Sequence, residues 1–479
     1  MFAPLALLAL LVAQTAPDDD PLPPADPAVT RGALEHHVRF LASDELLGRA
    51  AGTRESLRAS AYLARALERA GVEPAGDHGS YFQEVPLLVT RWDAPPRLVL
   101  WTTDGERLEL EHGTDFTVDV DGDPHGTAEL SVLRIEEAGD LPDAPDPELA
   151  LVVSTSRRRG TGLLEDRGWP RGAGFGLVVR ARDGRPGRPR GAPPTRIERG
   201  WLAEADAPEI VTVQGEAGEK LLSGGVARLA LELPARRAAF AERNVVGLVR
   251  GVGREGEPDL ASETIVVSAH FDHVGVLPGR DPATDPEDVI RNGADDDASG
   301  TAVLLELAEA LAGGPPPARS VLFLFCAAEE RGMWGTNWWV QNPTVPLEDV
   351  IVDLNLEMLG YPDELAGGPG RFWITGHDRT DLRELLAEHG VDVAEDPRPE
   401  QSFFTRSDNI VFVREGIVGQ TLSSGGDNPH YHQVTDEPDT LDFDHMTTGA
   451  RTALEALRLM AGGAIRPRWR EGEPDLRRR

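Results

Sequence analysis

The chain has 479 residues, 40% apolar and 27% charged, a balance that allows more than one folded domain and excludes wholesale disorder. Its formal net charge of −33 repels nucleic acid and anionic membranes, so neither is expected as a partner. Cys326 is the sole cysteine, which excludes an intramolecular disulfide; it lies in an apolar run and reads as a small buried hydrophobe.

In chain order, the apolar segment 5–13 comes first, followed by Gln14-Thr15-Ala16. The segment is far short of the ~20 residues a membrane span needs and has the length of a signal-peptide core. Residues 1–16 are therefore expected to be a signal peptide and the protein to be secreted or periplasmic, with no membrane span elsewhere. Residues 17–30, rich in Pro and Asp, read as a disordered lead-in. Residues 31–75 carry a helical pattern, with Leu57, Ala61, Leu63, Ala64, Leu67 and Ala70 near helical spacing and a stop at Gly71. Over residues 96–240, short β-like runs such as 149–153 and 176–179 alternate with Gly, Pro and Arg clusters, which predicts an inserted, mostly β module.

The texture changes again over residues 241–465. Apolar runs of strand length at 265–269, 321–328, 350–356, 372–375 and 417–421 are interleaved with helical patterns at 301–311, 381–389 and 445–460. Buried strands alternating with helices predict an α/β fold, with a mostly parallel or mixed central sheet covered by helices on both faces. Residues 466–479 form a charged tail.

Chemistry-bearing residues stand where these buried strands stop. The first run ends in His270-Phe271-Asp272, and Gly293-Ala294-Asp295-Asp296-Asp297-Ala298-Ser299-Gly300 precedes the following helix. The second run ends in Glu329-Glu330 and the third in Glu357, while His430-Tyr431-His432 follows the last. Loops at the carboxyl ends of strands surround the ligand crevice of open α/β sheets, so imidazoles and carboxylates converge on one edge. Taken singly, an Asp triplet before a helix is a cap and a Glu pair a solvated turn. Together they suit a divalent metal, and the imidazoles favour zinc. No Cys-x-x-Cys, Gly-x-Ser-x-Gly or phosphate loop competes for the role.

These motifs, in this order, resemble metallopeptidase family twenty-eight, the co-catalytic zinc aminopeptidases whose relatives include glutamate carboxypeptidase and glutaminyl cyclase. The resemblance covers roughly residues 244–460 and extends to residues 38–85, where Phe40-Leu41-Ala42-Ser43-Asp44-Glu45-Leu46-Leu47-Gly48-Arg49 is similar to the family opening, so residues 31–95 are expected to be the N-terminal part of a zinc-exopeptidase-like domain. It implies two zinc ions per chain. His270 is implied as a ligand of one zinc, with Asp272 behind it, and Asp296 as the carboxylate shared by both, next to Asp297 across a cis peptide. Glu329 is implied as the general base, and Glu330 and His432 as ligands of the second zinc. The module at 96–240 stands where many members insert a protease-associated domain.

Two positions depart from the family pattern. Glu357 stands where an Asp ligand is usual; it offers the same oxygen chemistry and is kept as a ligand, with Asp353, two alternations earlier on the same strand face, as its rival. Ser407-Asp408-Asn409 replaces the frequent Ser-Asp-His and is given no catalytic role. His430 is read as packing or substrate-lining and the other histidines as structural. The resemblance implies an aminopeptidase acting on peptides with a free N-terminus. Alternatives are a carboxypeptidase or dipeptidase, a glutaminyl cyclase, or a non-catalytic receptor-like ectodomain; a full two-metal set argues against the last two.

Overall fold

The computed structural model describes residues 28–119, 129–154, 175–181, 196–200, 210–426, 428–474 and 476. The expected signal peptide and most of the lead-in lie outside these residues. The chain divides into two compact units, one of Met1–Val85, Glu242–Leu277 and Pro282–Arg479, the other of Pro86–Ala241 and Pro278–Asp281. No helix among the described residues is long and apolar enough to cross a membrane.

The first unit opens with helices α1 (Arg31–Leu41) and α2 (Arg54–Ala70). Threonine hydroxyls accept from backbone N–H groups at both starts, Thr30 from Ala33 and Thr53 from Ser56. At the end of α2, Gly71 takes the left-handed conformation (φ 75°) that closes a helix without a Cβ penalty.

The strands of this unit that position the site are β1 (Ala235–Val249, in this unit from Glu242), β2 (Thr264–His270), β3 (Ser320–Cys326), β4 (Val350–Glu357), β5 (Trp373–Ile374), β6 (Ala394–Glu395) and β7 (Val418–Ser423). They pair in the order β6-β5-β7-β4-β2-β3-β1. The central strands β7, β4, β2 and β3 are parallel, whereas β1 and β5 run antiparallel to their neighbours β3 and β7. The sheet is therefore mixed with a parallel centre.

Alternation along the strands divides the core into two layers. Ile265, Val267, Val321, Phe323 and Phe325 face one side with residues of α1, α2, α3 (Gly300–Ala312) and the C-terminal helix Phe443–Ala461. Val266, Leu322, Leu324 and Cys326 face the other, against Trp339, Ile410 and Phe412. Burial on both faces accounts for continuous apolar runs where a half-exposed strand would alternate. At roughly 1.5–3 kcal/mol per buried large apolar side chain, this double layer is the main stabilising term of the unit.

The second unit has its own core, including Leu98, Leu100, Val152, Val179, Val211 and Leu229. Its sheet follows the order Arg107–Leu110, Arg97–Thr102, Val226–Glu232, Leu130–Ile135, Leu149–Ser154, Leu177–Ala181, Ile210–Val213 and Phe116–Asp119. This compact unit starts at Pro86, inside the strand Phe82–Trp92.

Candidate metal centre

Parallel register aligns the carboxyl ends of the central strands. His270 pairs opposite Cys326, and Glu357 opposite Ser423, so the loops leaving β2, β3, β4 and β7 emerge at one edge. β3 lies on one side of β2, and β4 and β7 on the other, and this reversal of strand order is where α/β sheets place their ligands.

Two groups of potential metal ligands form there and share Asp296. In the first, His270 Nε2 is 3.3 Å from Asp296 Oδ1, and Glu357 completes the trio. In the second, His432 Nε2 is 3.0 Å from Asp296 Oδ2 and 3.2 Å from Glu330 Oε1. His273 joins this second group, with Nδ1 2.9 Å from the same Glu330 oxygen and 3.7 Å from Asp296 Oδ2. Sequence reading left His273 among the structural histidines; its only local signal is a second imidazole three residues after His270.

The donor set fits a cation. Asp296 Oδ2, Glu330 Oε1, His273 Nδ1 and His432 Nε2 are buried and have no hydrogen-bond partner. Buried polar atoms are left so rarely, and a bound ion is one of the conditions that explains them. Zinc holds N and O ligands at about 2.0–2.1 Å, which puts tetrahedral neighbours about 3.3 Å apart, close to the separations seen.

The electrostatics point the same way. Burial opposes ionisation of Asp296, yet His273, His270 and His432 hold its carboxyl well below the ordinary range. Burial also opposes a charged His432, but Asp296 and Glu330 raise it to about 9. For Glu357, burial prevails over His270 and the Ser407 hydroxyl and pushes the carboxyl up to about 7. A divalent cation in the place of these protons offsets the cost of gathering so many carboxylates.

The resemblance assigned Asp272 to a position behind His270. Its Oδ1 lies 3.8 Å from His270 Nδ1 and accepts a 2.9 Å hydrogen bond from the backbone N–H of Glu329. The close contact of His270 Nδ1 is instead the backbone oxygen of Asp272, at 3.1 Å. Glu329 belongs to neither ligand group. Burial, with Asp408, Glu357 and Glu330 nearby, pushes its carboxyl well above the ordinary range against the pull of His270.

Other acids in these motifs serve the loops. Asp297, joined to Asp296 by a cis peptide, accepts from the N–H groups of Gly300 and Met358. Asp295 accepts from Gly360 N–H and from Asn428 Nδ2. Asp436 accepts from the N–H groups of Asp295 and Asp296. Asp353, the rival of Glu357, is fully buried, accepts from Ser268 Oγ, and stands in neither group. His430 contacts Thr435 Oγ1 through Nδ1 and also stands outside both groups.

A cleft of about 470 Å³ opens over the site. Asp296, Glu329, Glu330 and Glu357 line its polar wall, while Tyr361, Trp373, Phe403 and Tyr431 supply an aromatic one. Its size and mixed lining are those of a small-ligand site.

Together these features define an α/β protein with two groups of potential metal ligands at the carboxyl edge of its sheet. Residues 244–457 match the model of peptidase family M28. It is 27% identical over 204 residues to a probable leucine aminopeptidase of Arthroderma otae, covering 40% of this chain and 52% of that protein. It is 25% identical over 267 residues to a probable lipoprotein aminopeptidase of Mycobacterium tuberculosis, covering 49% of this chain and 48% of that one. The chain thus spans about half the length of these curated relatives. Among solved structures, an aminopeptidase from Aneurinibacillus sp. strain AM-1 aligns with TM-score 0.53 at 18% identity, covering 90% of this chain and 94% of that one, a likeness that shows the fold.

Proposed function

We propose that this protein is an aminopeptidase that removes N-terminal residues from peptides with two zinc ions and Glu329 as general base. The carrying observation is the pair of ligand groups that share Asp296, set beside a carboxylate that belongs to neither. Zinc at these groups supplies Lewis acidity, which polarises the scissile carbonyl and lowers the pKa of the attacking water toward about 7. Glu329 takes the proton of that water and returns it to the leaving amine. Asp272 holds the backbone of Glu329 in place for this transfer. The acidic wall of the cleft attracts a free terminal ammonium, and the aromatic wall accommodates an apolar side chain.

Acetylating the N-terminus of a substrate peptide removes its charge, so turnover of the blocked peptide is expected to fall at least tenfold against the free one. A second reading rests on Arg406, which lines the same cleft over the Phe403 ring and suits a substrate carboxylate. A carboxypeptidase or dipeptidase acting through Arg406 is indicated if blocked and free peptides turn over equally.

Export of the protein belongs to the same proposal and is supported by the apolar segment at residues 5–13. Protein purified from its native host is expected to begin between residues 14 and 18; an intact Met1 would overturn it.

A further inference from the structure

Resting on the two-zinc reading above, we infer that His273 is a fourth protein ligand of the centre formed by Asp296, Glu330 and His432. This centre consequently holds zinc more tightly than the one formed by His270, Asp296 and Glu357. His273 follows Asp272 in the loop leaving β2, and its side chain is fully buried. Neither of its ring nitrogens has a hydrogen-bond partner. Its 2.9 Å approach to Glu330 Oε1 lacks hydrogen-bond geometry, so the nitrogen and the oxygen lie side by side without one donating to the other. The same holds for Asp296 Oδ2 and His432 Nε2.

The ring is also held in position. Gly293 (φ +60°) lies so close that an added Cβ would stand 2.5 Å from His273 Cγ, so the loop carrying Asp296 leaves space for this imidazole only because residue 293 has no side chain. The rings of His273 and His432 meet at 78° with centroids 5.4 Å apart, which brings their nitrogens to the shared oxygens from different directions.

The two centres are then chemically unequal. Four protein ligands, two of them imidazoles, close a tetrahedral zinc site, whereas three leave a position open for water or substrate. The closed centre accordingly retains its ion, and the open centre is the one that exchanges and engages the substrate.

The test is a zinc titration of chelator-stripped, full-length protein, with X-ray absorption on the protein carrying one equivalent. The parent is expected to bind two equivalents, the first at least tenfold tighter and with two imidazoles on the metal. His273→Ala and His273→Asn are expected to weaken that first equivalent by about 100-fold or more and leave one imidazole on it. Glu357→Ala is expected to weaken the second equivalent and spare the first. Unfolding midpoints of the stripped variants identify any that fails to fold, and the Asn variant then carries the comparison. A single imidazole on the first zinc of the parent overturns the assignment of His273, as does a well-folded His273 variant that binds both equivalents as the parent does. A parent that binds only one equivalent overturns the two-zinc reading instead, and two imidazoles on that zinc still support His273.

Discussion

A Glu329→Gln protein is expected to turn over peptides about 10²–10⁴-fold more slowly than the parent while holding the same metal. Glutamine keeps the shape of the side chain and the backbone N–H that Asp272 accepts, so the loop after β3 should stay in place. What it loses is the ability to take a proton from water. Burial and the neighbouring carboxylates raise the Glu329 carboxyl, and cations in the centre would oppose that rise and favour the ionised form that accepts a proton. Glu330→Gln is the informative partner. Glu330 is adjacent in the chain, but its oxygen lies among the second ligand group, so this variant should lose metal first and regain turnover when zinc is added in excess. Metal content and kcat measured on both variants separate the two roles. Near-normal turnover of Glu329→Gln would remove the general base and with it the proposed mechanism.

Arg49→Leu is expected to lower the stability of the first unit by about 3–5 kcal/mol and to weaken metal binding at both ligand groups together. Arg49 is fully buried and donates to the backbone oxygens of Leu41, Phe271, Asn292 and Gly293, with a longer contact to that of Asp296. One guanidinium thereby ties the loop that follows His270 and carries His273 to the loop that carries Asp296. Its charge also faces Asp296, Asp436, Asp272 and Asp297, whose attraction opposes the desolvation that lowers its pKa. Leucine fills much of the volume but leaves several buried carbonyls without a donor. Lysine keeps the charge but lacks the planar fork, so Arg49→Lys should fall between the two. Urea unfolding with near-ultraviolet detection, together with a zinc competition assay, measures both effects. A leucine variant within about 1 kcal/mol of the parent, with unchanged zinc binding, would show that the clamp is not needed.

Local pattern along the chain is enough to read those parts of the protein that follow from neighbouring residues. Fully apolar runs such as 265–269 and 321–328 mark strands buried on both faces, because a strand with one wet face alternates. A strand's carboxyl end delivers whatever residues follow it, so the imidazoles and carboxylates at 270–272, 295–297, 329–330, 357 and 430–432 were legible as one convergent set, and the resemblance singled out His270, Asp296, Glu330, Glu357 and His432 among them. The resemblance already implied how these ligands divide; what folding adds is their placement on separate oxygens of Asp296. The partition between the two oxygens of Asp296 depends on register between strands and on loops far apart in the chain, and a periodic pattern carries no information about either. For the same reason His273 read as an ordinary histidine: its partners Glu330 and His432 become neighbours only through the pairing of β2 with β3 and the return of the loop after β7. Glu357 is kept over Asp353 from sequence, and the structure groups Glu357 with His270 and Asp296, while Asp353, on the same strand face, accepts from Ser268 Oγ. Arg49 shows the limit most plainly. An arginine is read from composition as solvated, and only folding showed that five backbone oxygens converge on it, since hydrogen-bond acceptors on the main chain leave no trace in the residue types that carry them.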